Sequence, residues 1–298
     1  MTEIASAALP SALGPDELRV RPGRDGVGLA IDPARAGWRY LAFRVERLEG
    51  STEVPVGDAA RESLLVTIAG GLQVTVDGRT FDLPGRASVW DGPPWAIYLP
   101  QGSTGSMRAL GGPATAAKAT APVRDPASAR GEPILVEPGD VAVEVRGAGN
   151  ATRQINHIVP PDFAADRLLA VEVYTPSGNW SSWPPHKHDV DDMPDEAVLE
   201  EVYHYQFRRP KAWGIQRLYR RDGTRDALWA VGHGQVVLVT DGYHPFVAAH
   251  GDDAYYLNVL AGDRRTMACS FDPDLERVRA EWAGMAPDPR VPLVPPAD

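Results

Sequence analysis

From Trp38 to Leu99 the chain is cut into short apolar or alternating runs. They are Tyr40 to Val45, Ser63 to Ile68, Leu72 to Val76, Thr80 to Leu83, Ala87 to Trp90 and Trp95 to Leu99, with turn-forming residues between them. Runs this short suit strands rather than helices, so the spacing predicts an all-β sandwich or barrel. Asp77-Gly78, between two of the runs, is a strong signal for a two-residue hairpin. The pattern resumes at Ile134 to Val136, Val141 to Val145 and Leu168 to Tyr174. Beyond a histidine-bearing stretch it continues at Val202 to Phe207, Gly214 to Tyr219, Ala227 to Val231, Gln235 to Val239 and Tyr255 to Leu260, with Asp222-Gly223 as a second turn. Leu275 to Trp282, opened by Asp272-Pro273-Asp274, reads as one capped helix. Residues 1–37 are expected to wrap the first domain as irregular structure. Residues 111–132, dominated by Ala, Pro, Thr and Gly, are expected to be a connector with at most an edge strand at their start.

The two halves share an order: strand, Asp-Gly turn, strand, glycine, apolar run, tight turn. That last turn is Leu99-Pro100-Gln101-Gly102 in one half and Thr240-Asp241-Gly242-Tyr243-His244 in the other. A duplicated β-barrel accounts for this, with domains at 1–132 and 133–298. All 7 histidines lie at or beyond His157, so the first half has no imidazole for a metal site. One half is read as scaffold and the other as the seat of the chemistry.

With 30 basic and 40 acidic residues the net charge is −10, which favours neither nucleic acid nor an anionic membrane as partner. The single cysteine, Cys269, excludes an internal disulfide and is read as a small core residue. Neither a secretory signal nor a long apolar span is expected, which makes a soluble cytoplasmic protein the default.

The chemistry concentrates in Trp180-Ser181-Ser182-Trp183-Pro184-Pro185-His186-Lys187-His188-Asp189. A His-x-His pair on extended backbone puts both imidazoles on one face. A carboxylate from Glu200-Glu201 and the late His244 would complete a site of three histidines and one acid. Such a set suits Zn, Mn, Fe, Co or Ni, with Zn favoured where a redox-inert Lewis acid is wanted. Glu200 and Glu201 point to opposite faces of a strand, so one of them faces the metal; Glu201, Tyr203 and Tyr205 share a face, opposite Glu200 and His204. Lys187 alternates away from its flanking histidines and is read as structural. His157, His233 and His250 are read as surface or turn residues, and Trp180 and Trp183 as core. Asp189 to Glu196 lacks the glycine-centred spacing of an EF-hand and is read as a solvated acidic loop over the site.

Several segments carry a resemblance. They are Arg146 to Gln154, Gly178-Asn179-Trp180-Ser181-Ser182 through His188, Leu199 to Tyr203, Gln216-Arg217-Leu218-Tyr219, Asp241-Gly242-Tyr243-His244-Pro245 and Tyr255-Tyr256-Leu257-Asn258. Through them the chain resembles the 5-deoxy-glucuronate isomerases of myo-inositol breakdown, relatives of the 4-deoxy-uronate ketol-isomerases of pectin breakdown, within the cupin superfamily. The resemblance implies a bicupin, two cupin barrels in one chain. In many cupins the acid ligand is followed by an apolar residue and then aromatics, which favours Glu201. The ligand set is then His186, His188, Glu201 and His244.

The resemblance also implies an aldose–ketose isomerisation of a small sugar acid. Tyr203 and Tyr243 are the candidates for moving the proton, and Arg153 and Arg217 for holding the substrate carboxylate. A homo-oligomer is a further expectation. The rival readings are the pectin-pathway isomerase, an iron-dependent cupin dioxygenase and a non-catalytic sugar-acid-binding cupin.

Overall fold

The computed structural model describes residues 13–22, 29–125, 127 and 131–297. Strands dominate, and two antiparallel sheets organise them in matching order. The first runs Leu29–Ile31, Ala42–Leu48, Gly105–Pro122, Arg61–Val76, Ala96–Leu99, Ile134–Val136. The second runs Ala142–Arg146, Arg153–Val159, Leu168–Thr175, Ala254–Gly262, Leu199–Phe207, Val236–Val239, Arg19–Val20. A four-stranded sheet, Trp180–Ser181, Phe246–Ala248, Trp213–Tyr219 and Asp226–Gly232, adds a second wall to the latter half.

The division at 132/133 is crossed twice. Ile134–Val136 pairs with Ala96–Leu99 of the first sheet, while Arg19–Val20 pairs with Val236–Val239 of the second. Of residues 1–37, expected to wrap the first domain as irregular structure, 1–12 and 23–28 lie outside the described residues, Leu29–Ile31 is an edge strand of the first half, and Arg19–Val20 is an edge strand of the second. The supposed connector is also strand: Gly105–Pro122 lies between Ala42–Leu48 and Arg61–Val76. Its buried Ala114, Ala116, Ala117, Ala119 and Ala121 are small because both faces are packed. The C-terminal helix is shorter than its capping signal suggested, Val278–Glu281. Ala87 to Trp90 is turn and bend rather than strand. The hairpin at Asp77-Gly78 holds, with φ of 50° and 76° in the two positions that its tight turn requires.

Alternation along Arg61–Val76 decides what the first barrel contains. Leu65, Leu72, Val74 and Val76 enter a core with Leu83, Ile97, Leu99 and Met107, whereas Leu64, Val66 and Ile68 belong to the larger core shared with the second half. The first barrel is therefore filled with hydrocarbon where the second is polar.

Two glutamates clasp the halves reciprocally. Glu200 accepts backbone N–H bonds from Arg39, Tyr40 and Leu41 at 2.5, 2.9 and 2.7 Å. Glu62 accepts them from Asp166, Arg167 and Leu168 at 2.7, 2.7 and 2.8 Å. Glu62 and Glu200 occupy matching strands, so Ser63 stands in the first barrel where Glu201 stands in the second. Among the described residues, no helix is long and apolar enough to cross a membrane.

Candidate metal centre

Strand Leu199–Phe207 separates the two glutamates as its period of two requires. Glu200 faces the first half, and Glu201 faces the interior of the second. His204, on Glu200's side, packs against Phe43 with ring centroids 6.0 Å apart, whereas the Tyr203 ring stands 5.9 Å from that of His244. His188, Glu201 and His244 are all buried, and one ligand atom from each lies within 4.8 Å of the others. His188 Nε2 is 2.9 Å from Glu201 Oε2, and His244 Nε2 is 3.3 Å from the same oxygen. His186 borders the same space, its ring 4.6 Å from that of His244 and 6.4 Å from that of His188. Lys187 points away, as alternation predicts, and binds Asp189 at 2.6 Å and Glu196 at 2.8 Å. Glu196 is buried and also accepts the N–H groups of Asp189 and Val190. Glu196 thus pins the end of the acidic loop to the histidine strand, while Asp192 to Asp195 are exposed to solvent as expected.

The donor set fits a divalent ion. His188 Nδ1 is bonded to the Leu199 carbonyl at 2.9 Å and His244 Nδ1 to the Gly242 carbonyl at 3.0 Å. With Nδ1 donating, each Nε2 presents a lone pair inward, the outer support that metal-binding histidines use. His244 Nε2 is buried without a hydrogen-bond partner, an arrangement that costs free energy unless something occupies the space before it. Burial pushes His186 and His244 down to about 3, so both imidazoles are neutral at pH 7 and able to ligate. Burial would raise the Glu201 carboxyl, but the His244 and His188 rings and the Asn258 amide outweigh it and keep it ionised.

The cavity at this cluster has a volume of about 660 Å³. Tyr203 and Arg153 border it; Tyr243 and Arg217 do not. Arg217 makes a two-pronged contact with Asp226 at 2.8 and 2.9 Å and lies 4.1 Å from the Tyr219 ring centroid. Tyr243 stacks on Tyr219 with centroids 5.3 Å apart. Both are committed to the outer hairpin instead. Gln216, next to Arg217 but on the buried side, donates to the His244 carbonyl at 2.6 Å and so fixes the turn that carries this imidazole. Asn258, in a segment that carried the resemblance, donates to Glu201 Oε1. His157 and Cys269, read as surface and core residues, both border the cavity, as does Trp183.

His204 is the buried histidine outside this cluster. Burial pushes it down to about 3, so the folded state keeps it neutral while the unfolded chain takes up a proton below about 6.5. Stability from this group is full above pH 6.5 and falls as pH drops from there towards 3. A His204→Phe protein should therefore lose less stability than the parent between pH 6.5 and 4 in urea unfolding. Identical losses would show that the ring already charges in the fold.

A polar, acid-and-imidazole-lined half joined to a hydrocarbon-filled twin makes an all-β, cupin-like protein with, among the described residues, one buried cluster fit to hold a metal ion. The KduI/IolB family profile matches residues 18–278. The chain is 39% identical over 259 residues to a 5-deoxy-glucuronate isomerase of Geobacillus thermodenitrificans, covering 86% of this chain and 93% of that one. It is 36% identical over 241 residues to the enzyme of that name from Lacticaseibacillus casei, covering 79% and 86%. An IolB-like protein from Salmonella typhimurium superposes with a TM-score of 0.80 at 35% identity, over 84% of this chain and 94% of that one. The Lactobacillus farciminis oxalate decarboxylase, at 12% identity and a TM-score of 0.59 over 82% and 83%, shares the fold alone. The chain belongs to the KduI/IolB family and is an isomerase.

Proposed function

We propose that this protein converts 5-deoxy-D-glucuronate to 5-dehydro-2-deoxy-D-gluconate, an aldose–ketose isomerisation of myo-inositol breakdown, in the cytoplasm. The observation that carries the proposal is the meeting, in one cavity, of a metal-binding triad and a buried arginine with no acidic partner. Arg153 is 6% exposed, it donates to the Ala151 carbonyl at 3.2 Å, and among the described residues it forms no ion pair. Burial, with Arg146 adding to it, lowers this guanidinium to about 10, which still leaves it charged at pH 7. A buried, unpaired cation is costly, and a substrate carboxylate would offset that cost through two parallel hydrogen bonds.

His186 would join His188, Glu201 and His244 as the fourth ligand, leaving positions open to substrate oxygens. A divalent ion held there, with zinc the first choice, supplies Lewis acidity towards the carbonyl and its neighbouring hydroxyl. Asn258 and the carbonyls of Leu199 and Gly242 hold the ligands in place. Ser182, Tyr203 and Tyr256 provide neutral hydroxyls along the wall, Ser182 Oγ lying 2.9 Å from the Tyr203 hydroxyl. The choice of substrate over a 4-deoxy-uronate rests on the names of the relatives.

NMR of the purified protein with 5-deoxy-D-glucuronate, with and without a chelator, tests the reading. Conversion to the ketose that stops on chelation and returns with added metal is expected; conversion indifferent to chelator would remove the metal from the reaction. Arg153→Met should raise KM for the sugar acid about 10- to 100-fold, the worth of a hydrogen bond to a charged group. Unfolding stability should not fall, because the substitution removes an unpaired buried charge. An unchanged KM would exclude Arg153 as the carboxylate's partner.

A further inference from the structure

We infer that Asp189 is a positioning residue: it locks the turn carrying His244 to the segment carrying His186 and His188, and so sets how tightly the site holds its ion. This step rests on the metal-binding reading above and concerns a side chain outside the cavity lining.

His188, Glu201 and His244 arrive on three separate pieces of chain, so the space between them is only as well defined as the ties between those pieces. The histidine segment and the Glu201 strand are tied twice. Leu199 N–H donates to the His188 carbonyl at 3.0 Å, and His188 Nδ1 is bonded to the Leu199 carbonyl at 2.9 Å. The turn of His244 is tied to strand Trp213–Tyr219. Tyr219 and Tyr243 exchange backbone hydrogen bonds at 2.9 and 2.8 Å, and Gln216 holds the His244 carbonyl at 2.6 Å. Neither set joins this turn to the segment of His186 and His188. Asp189 does.

Alternation carries Asp189 to the side of Lys187, behind the imidazoles rather than among them. Its Oδ1 lies 2.6 Å from Lys187 Nζ, and its Oδ2 accepts the Gly242 N–H at 2.8 Å. The carbonyl of that same Gly242 accepts from His244 Nδ1 at 3.0 Å. Gly242 therefore relays the position of Asp189 to the ring that presents Nε2 inward. Its φ is 77°, and a Cβ there would stand 2.6 Å from the Tyr219 carbonyl oxygen, so the turn is pressed against its neighbour with little slack. The carboxylate is itself held. Lys187 binds both oxygens of the buried Glu196 at 2.8 and 2.9 Å, and Glu196 accepts the Asp189 N–H at 2.8 Å. Groups that orient metal ligands from behind govern affinity by about 10- to 100-fold.

Cobalt(II), titrated into the metal-free full chain against a competing chelator, reads affinity and, through its visible spectrum, the arrangement of the ligands. Asp189→Ala should weaken cobalt binding about 10- to 100-fold and change that spectrum. Asp189→Asn keeps an oxygen for the Gly242 N–H while Lys187 stays on Glu196, and it should recover most of the lost affinity together with the parent's spectrum. Asp189→Ser, read as the alanine variant is, covers the case in which alanine prevents folding. Parental affinity and spectrum in the alanine variant, even with a lower urea midpoint, would leave Asp189 a merely structural residue and overturn the inference. An asparagine variant that binds no tighter than alanine would overturn it too. If the parent binds cobalt and Asp189→Ala binds it equally well, the metal site stands and only the role of Asp189 falls. If the parent binds none, both readings fall.

Discussion

Replacing His188 with alanine is expected to abolish metal retention and turnover together while leaving the β-structure in place. The imidazole is 6% exposed and bridges the Leu199 carbonyl and Glu201, so it joins the histidine segment to the acid's own strand. Without it, the set falls from four ligands to His186, Glu201 and His244, the Glu201 carboxylate loses a bonded neighbour, and the hole admits water. Losing the ion's several kcal/mol of transition-state stabilisation corresponds to a fall in turnover of about 10³-fold or more. The barrel should survive, because its sheets are held by ladders and apolar packing that the change does not touch. Metal content by plasma emission, turnover by NMR and far-ultraviolet circular dichroism on one preparation decide it. A variant that keeps both its metal and its turnover would show that the chemistry lies outside this cluster.

Much of this site was legible because strands have a fixed side-chain period. The period put Glu200 and Glu201 on opposite faces, the resemblance choosing Glu201 between them, and it separated Lys187 from its flanking histidines and His204 from Tyr203. The hairpin at Asp77-Gly78 was legible for the same local reason. What escaped were choices made by distant partners. Arg217 sat in a segment that carried the resemblance, yet Asp226 on the neighbouring strand claims its guanidinium, and nothing local announces that pairing. His157 looked like a surface histidine because only the register with Val171 and Asn258 brings it to the cavity wall. Gly105–Pro122 was misread in its latter part because the β-branched and aromatic residues typical of strands are scarce there; its alanines answer to close packing on both faces. The exchange of Arg19–Val20 and Ile134–Val136 between the halves lay beyond any local pattern, since two residues of edge strand carry almost no periodic signal.

Arg86→Met is expected to be among the most destabilising single changes in the molecule. Arg86 comes from the first half and Glu172 from the second, their side chains are 2% and 0% exposed, and they form an ion pair. The guanidinium also donates to the carbonyls of Gly92 at 2.8 Å and Thr67 at 3.0 Å. Glu172 in turn accepts from Tyr255 at 2.8 Å and Tyr174 at 3.2 Å. Methionine fills most of the volume but leaves the carboxylate buried opposite hydrocarbon, which costs about 3–5 kcal/mol. For a chain of this size that corresponds to a fall in Tm of roughly 10 °C. The net worth of the pair is another matter, because both charges gave up hydration to enter the interface. Combining Arg86→Met with Glu172→Leu removes both charges at once and should recover most of the loss, giving a large coupling in a double-mutant cycle. Urea unfolding of the parent, the two single variants and the double variant measures it. A single change within about 1 kcal/mol of the parent would mean that water already reaches the pair. Equal and additive losses would mean that the tyrosine hydroxyls, rather than the arginine, keep Glu172 in place, and the two halves would then be held chiefly by their apolar faces and the Glu62 and Glu200 clasps.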